Sequence, residues 1–140
     1  MSSNLFDMTN KVALITGSSK GIGRAIAEEM VRQGAKVVIS SRKADVCQEV
    51  ADAINAEAKA SGNQTGEAIV IPAHVGQREA LQHLVDETRA RLGQIDVLVC
   101  NAAVNPFYGS MQELPDDAMD KILDINIKSN HWLVNMVLPE

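Results

Sequence analysis

Cysteine is scarce: Cys47 and Cys100 are the only two in 140 residues. Their spacing matches no metal-ligand motif and suggests no disulfide framework. No metal site is expected, and a reducing cytoplasm is the expected compartment. Cations are outnumbered, with 13 Lys and Arg against 18 Asp and Glu and a net charge of -5. A protein that grips a phosphate backbone normally shows a basic stripe, and none is visible. Nucleic acid is therefore not expected as a partner. No apolar run approaches the roughly 20 residues of a membrane span, so no membrane partner is expected either. The opening "MSSNLFDMTN" lacks the basic start and apolar stretch of a signal peptide. Internal repeats, low-complexity tracts and linkers are missing too, which leaves one compact unit over residues 1–140.

What is present has the balance of a soluble globular chain, 46% apolar and 22% charged. "KVALIT" (Lys11–Thr16) is a short apolar run that reads as a strand buried on both faces. Helical spacing follows at Ile22, Ile26 and Met30, with Gly34 as the stop. "KVVIS" (Lys36–Ser40) predicts a second strand and Ala44–Ala60 a helix with Val46, Val50 and Ile54 inward. "EAIVIPA" (Glu67–Ala73) predicts a third strand. Gln77–Leu92 predicts a helix with Leu81, Leu84, Val85, Thr88 and Leu92 inward. "QIDVLVC" (Gln94–Cys100) predicts a fourth strand, then a long loop, then a helix from Asp116 to about Leu138. Its apolar stripe is Met119, Ile122, Leu123, Leu133 and Val137, and Asn126 and Asn130 fall on the same stripe. Strands alternating with helices define crossover units on a parallel sheet, an α/β doubly wound fold of Rossmann type.

"TGSSKGIG" (Thr16–Gly23) joins the first strand to the first helix, where such a fold holds a pyrophosphate. Gly17 permits a tight turn, Gly21 lets backbone approach phosphate, and Gly23 lets the helix pack on the strand. The positive end of the helix then faces the anion. The spacing G-x-x-x-G-x-G is neither G-x-G-x-x-G nor the phosphate loop of an NTPase, since no Gly-Lys-Ser/Thr follows.

Three segments carry a resemblance. "TGSSKGIG" is similar to the cofactor motif of the short-chain dehydrogenase/reductases, "IDVLVCNAA" to their fourth-strand motif, and "LDINIKS" to the segment with a catalytic asparagine. They match in order and spacing over essentially the whole chain. "NAAVNPFYG" resembles the carbonyl-reductase-like subgroup. The resemblance implies strand order 3-2-1-4 and an NADP(H)-dependent oxidoreductase. Hydride would pass between nicotinamide and a small carbonyl or alcohol, in a homo-oligomer (dimer or tetramer). It places cofactor contacts at Gly17, Ser19, Lys20, Gly21, Ile22 and Gly23, at Ser41 and Arg42, at His74 and Val75, and at Asn101, Ala102 and Ala103. It makes Asn126 the catalytic asparagine, which distorts its helix and holds a water in a proton relay.

The second strand ends "VVISSRK", with no acid to accept the ribose hydroxyls of NAD. Arg42, with Lys20 across the glycine loop, suits a 2′-phosphate. Cations at the start of a helix, as Arg42 and Lys43 are, call for an anion beside them. Three positions depart from the family pattern. His74 stands where most members have Asp, Cys100 where they have Asn, and Ala103 where they have Gly.

The family also needs a Ser and a Tyr-x-x-x-Lys pair. The one tyrosine, Tyr108, is followed four residues later by Gln112. The expectation is an N-terminal part of a longer enzyme, inactive by itself. The alternative is a non-catalytic dinucleotide-binding module.

Overall fold

The computed structural model of the chain describes residues 4–139; residues 1–3 and 140, the ends of the unit expected over 1–140, lie outside the described residues. Four parallel strands form one sheet in the order β3-β2-β1-β4. They are β1 (Val12–Thr16), β2 (Lys36–Ser40), β3 (Glu67–Val70) and β4 (Val97–Val99). Helices α1 (Gly21–Arg32), α2 (Ala44–Ala60) and α3 (Arg78–Leu92) make the crossovers. After β4 come a 3-10 turn at Met111–Glu113, α4 (Asp116–Leu123), a π-helical turn (Asp124–Lys128) and α5 (Ser129–Val137). The α/β doubly wound fold and the 3-2-1-4 order are as expected.

Alternation along the strands sorts the core into two layers. Ala13, Ile15, Val37 and Ile39 face α1 and α2, packing with Val31, Val50 and Ile54. Leu14 and Val38 face the other way, against Leu81, Leu84 and Val85 of α3 and Leu133 of α5. All five residues of β1 are buried, which is why its sequence shows no polar alternation. Each such fully buried Leu, Ile or Val contributes about 1.5–3 kcal/mol relative to exposure.

Three expectations need correction. Helix α1 buries Gly23, Ala27 and Val31, one residue on from Ile22, Ile26 and Met30. Small residues take the inner line because the helix lies close on the sheet; Ile26 and Met30 pack from its flank, and Ile22 is 74% exposed. Strands β3 and β4 are shorter than expected. Beyond Val70, pairing with β2 runs on through Ile71 N–H to the Ile39 carbonyl and Ala73 N–H to the Ser41 carbonyl, while Pro72 between them falls on the outer edge, where no N–H is required. β4 stops at Val99, where the chain turns with Asn101 N–H on the Val99 carbonyl. Third, the stripe of the last helix holds only in part. Leu133 is buried and Val137 packs against the same layer, as expected, but Met119 and Leu123, ahead of the π turn, are 41% and 40% exposed, and the turn brings Ile125 and Ser129 inward.

The two sheet edges differ. On β3 the Asn55 amide bonds both the N–H (2.8 Å) and the C=O (2.9 Å) of Ala68, and Arg91 donates to the Val70 carbonyl at 3.1 Å. Side chains thus occupy the outer edge of β3. β4, the other edge strand, is half-buried along its length.

Candidate functional site

The carboxyl ends of the strands carry the loops that the motifs marked. Leaving β1, Gly17 has φ +63° and Gly21 φ +58°, a left-handed conformation that side chains rarely adopt. Between them Ser18 is buried and buckles the loop to β2. Its Oγ donates to the Ile15 carbonyl and accepts Ser40 N–H, both at 2.8 Å, and its own N–H reaches the Ser40 carbonyl at 3.2 Å. The first-turn N–H groups of α1 have no carbonyl within the helix and point out of its amino end.

A Cβ on Gly23 would stand 2.4 Å from the Gly17 carbonyl oxygen and 2.5 Å from Asn101 Nδ2. A Cβ on Gly21 would meet nothing within 4 Å. Gly23 is therefore glycine for internal packing, whereas Gly21 faces open space.

The loop after β4 is sewn to the glycine turn. Asn101 Nδ2 donates to the carbonyls of Gly17 (3.0 Å) and Thr16 (3.2 Å). Thr16 Oγ1 accepts the N–H groups of Asn101 (3.1 Å) and Ala102 (3.0 Å). Two of the strongest organisers, Thr16 and Ser18, were not singled out from sequence. Their signal was a hydroxyl at each position flanking a strand-end glycine.

At the end of β2, Ser41 Oγ accepts Lys43 N–H at 3.3 Å and lies 3.1 Å from the buried Cys47 thiol. Arg42 and Lys20 are exposed and form no ion pair among the described residues. At the end of β3, His74 and Val75 are half-buried, and His74 Nδ1 accepts Gly76 N–H at 3.0 Å. Ser19 is half-buried and Ala103 exposed on the same rim.

Asn126 lies at the centre of the π turn and is half-buried. Its Oδ1 accepts Val104 N–H at 2.8 Å and its Nδ2 donates to the Val104 carbonyl at 2.9 Å. The amide thus acts like a strand partner for one residue of the loop. The widened turn frees carbonyls, and two side chains take them: Ser129 Oγ donates to Ile125, and Asn130 Nδ2 to Asn126 at 3.0 Å.

Two other groups offer little chemistry. Burial pushes the Cys100 thiol above the ordinary cysteine range, so it stays protonated at neutral pH. Tyr108 is 98% exposed. Among the described residues no cluster of three or more His, Cys, Asp or Glu could hold a metal, and no helix is long and apolar enough to cross a membrane. A depression of about 850 Å³ lies at the opposite end of the sheet, beside Lys36, Lys59 and residues 62–66. Two of its amides are spent on backbone, Asn55 on Ala68 and Asn63 on Val31.

A glycine turn feeding a helix amino end, stitched to the next strand across a 3-2-1-4 sheet, defines a Rossmann-type nucleotide fold. The chain belongs to the short-chain dehydrogenase family, whose model matches residues 11–140. It is 41% identical over 133 residues to "Dehydrogenase/reductase SDR family member 4" of Bos taurus, covering 95% of this chain and 45% of that protein. It is 42% identical over 132 residues to "Dehydrogenase/reductase SDR family member 2, mitochondrial" of Homo sapiens, covering 94% and 45%. Among solved structures, the Pseudomonas aeruginosa RhlG/NADP active-site complex superposes with TM-score 0.84 at 27% identity, over 96% of this chain and 49% of that one. A metagenomic short-chain oxidoreductase in complex with NADP superposes with TM-score 0.83 at 30% identity, over 94% and 56%. The chain thus spans about half the length of the relatives it matches.

Proposed function

We propose that this chain is the NADP(H)-binding part of a short-chain oxidoreductase that interconverts carbonyls and alcohols, of the carbonyl-reductase-like kind. The observation that carries the reading is the pairing of an open Gly21 with the exposed cations Lys20 and Arg42, which form no ion pair among the described residues, on the carboxyl edge of a Rossmann sheet. Those residues fit the group. The α1 amino end and the backbone at Gly21 receive the pyrophosphate, Lys20 and Arg42 the 2′-phosphate, and Ser41 the same ribose edge. Ser19 and Ile22 line the phosphate side, Val75 the base side, and Asn101, Ala102 and Ala103 the nicotinamide-ribose side. The titles of two structural neighbours name NADP as their bound dinucleotide, which supports the assignment.

The bound cofactor supplies hydride at its nicotinamide ring. This chain's residues bind and orient it. Asn126 holds the loop through Val104 and presents its turn to a proton relay. No Tyr-x-x-x-Lys pair occurs in the sequence, so residues 1–140 alone bind cofactor without turning over a carbonyl. The free thiols of Cys47 and Cys100 suit a cytoplasmic setting.

The test is to titrate the wild type and Arg42→Ala with NADPH and with NADH. Wild type binds NADPH more tightly. Arg42→Ala loses about 1.5–3 kcal/mol for NADPH, the worth of a hydrogen bond to a charged group, and little for NADH. Equal losses for both cofactors would remove Arg42 from the 2′-phosphate.

A further inference from the structure

We infer that Cys47 is a positioning residue for the 2′-phosphate: its buried thiol donates to Ser41 Oγ and so leaves the Ser41 proton for the anion. The inference rests on the dinucleotide reading above and adds to it a residue that acts only through Ser41.

The two side chains meet where β2 hands over to α2. Ser41 is the first residue beyond β2, and its carbonyl is tied to β3 by Ala73 N–H. Cys47 stands in the first turn of α2, 0% exposed, in the same apolar layer as Ile39, Val50 and Ala51. Its Sγ lies 3.1 Å from Ser41 Oγ, the thiol's only hydrogen bond among the described residues. A wholly buried thiol has no water to turn to, so Ser41 is its one outlet. Ser41 itself is half-buried and keeps a side open to the rim that carries Arg42.

Counting protons and lone pairs gives the contact its meaning. A hydroxyl has one proton and two lone pairs. Lys43 N–H occupies one lone pair of Ser41 Oγ, at 3.3 Å. Two arrangements with Cys47 remain. In the first, the Ser41 proton goes to sulfur and is spent inside the protein. In the second, the S–H fills the other lone pair and the Ser41 proton turns outward. Without ligand the two differ little, because S–H is a weak donor and sulfur a weak acceptor. A phosphate at the rim decides between them. An O–H given to a charged oxygen makes a bond roughly twice as strong as a neutral one, so the anion takes the Ser41 proton. The thiol then becomes the donor of the pair. No proton leaves either group; only the direction of the bond changes. Valine at position 47 would suit the apolar layer equally well but could not supply that donor.

The S–H stretching band reads the donor directly. It falls in a window clear of other protein absorption and moves to lower frequency when the thiol donates. Cys47→Val and Cys100→Ser each remove one band and so tell the two thiols apart. Infrared spectra are taken of the wild type alone, with saturating NADPH and with saturating NADH. The Cys47 band should move down with NADPH and hold its place with NADH, which has no 2′-phosphate. Titration by reduced-nicotinamide fluorescence adds the affinities. Cys47→Val should weaken NADPH about threefold and leave NADH unchanged, the effect of one weak hydrogen bond. Cys47→Ser restores a donor and should recover most of that loss. A Cys47 band that NADPH leaves unmoved, or that NADH moves equally, would overturn the inference whatever the variants do. So would equal losses of both dinucleotides in Cys47→Val. Failure of the wild type to bind either dinucleotide would overturn the cofactor reading beneath it.

Discussion

Gly21 and Gly23 sit two residues apart and do different work. Gly23→Ala forces a methyl into the Gly17 carbonyl and the Asn101 amide. It should destabilise the fold by about 1–3 kcal/mol, as overpacking does, and loosen the loop pairing. Gly21→Ala meets open space and pays only for its left-handed backbone, about 1–2 kcal/mol. Gly21→Val should leave the chain folded yet abolish dinucleotide binding, because its branches occupy the proposed phosphate position. Thermal unfolding beside cofactor titration separates these effects; an unchanged melting temperature of Gly23→Ala would contradict the packing assignment. Cys100 gives a pH prediction. Burial raises its pKa, so the folded state holds the proton more tightly than the unfolded chain does. The stability it contributes is full below the ordinary thiol range and falls as pH rises through the folded pKa. Alkylation of Cys100 by iodoacetamide should be slower than that of a free cysteine at pH 8 and accelerate only at higher pH. Reaction at the free-cysteine rate at pH 8 would contradict that environment.

Elements were legible where one physical signal dominated. Val12–Thr16 and Lys36–Ser40 are apolar runs buried on both faces, and the α3 stripe of Leu81, Leu84, Val85 and Thr88 is buried as its spacing implies. On α1 the bulky Ile26 and Met30 flank the inner line instead of forming it, so bulk marks the wrong face by one residue. The close approach of helix to sheet instead selects Gly23, Ala27 and Val31. On the last helix Leu133 and Val137 pack inward as their spacing implies, but the π turn at Asp124–Lys128 also buries Ile125 and Ser129, which a uniform 3.6-residue period does not place inward. Asn126 was visible as a polar residue in an apolar stripe, but its partner Val104 contributes only backbone and has no side-chain signal. That pairing makes a prediction. Asn126→Ala leaves the Val104 N–H and C=O without their partner and should cost about 1–3 kcal/mol. Amide exchange should quicken at Val104 more than in β1. Unchanged protection at Val104 would show that the loop is held by something else.

At the scale of the whole molecule, the asymmetry of the sheet governs association. Asn55 and Arg91 occupy the β3 edge, whereas β4 is a short apolar edge strand. Ile127, Val134 and Leu138 are exposed along the last helix. We propose that these surfaces drive self-association, so residues 1–140 in isolation should scatter light as a dimer or larger species. A clean monomer at micromolar concentration would contradict this. The carboxyl edge of the sheet is where we propose that this chain receives NADP(H). The most direct measurement is an amide chemical-shift map of the isotope-labelled chain titrated with NADPH. The largest shifts should fall at residues 17–23, 41–42, 74–76 and 101–104. Shifts centred instead on residues 36, 55, 59 and 62–66, at the opposite end of the sheet, or no shifts at saturating NADPH, would contradict it.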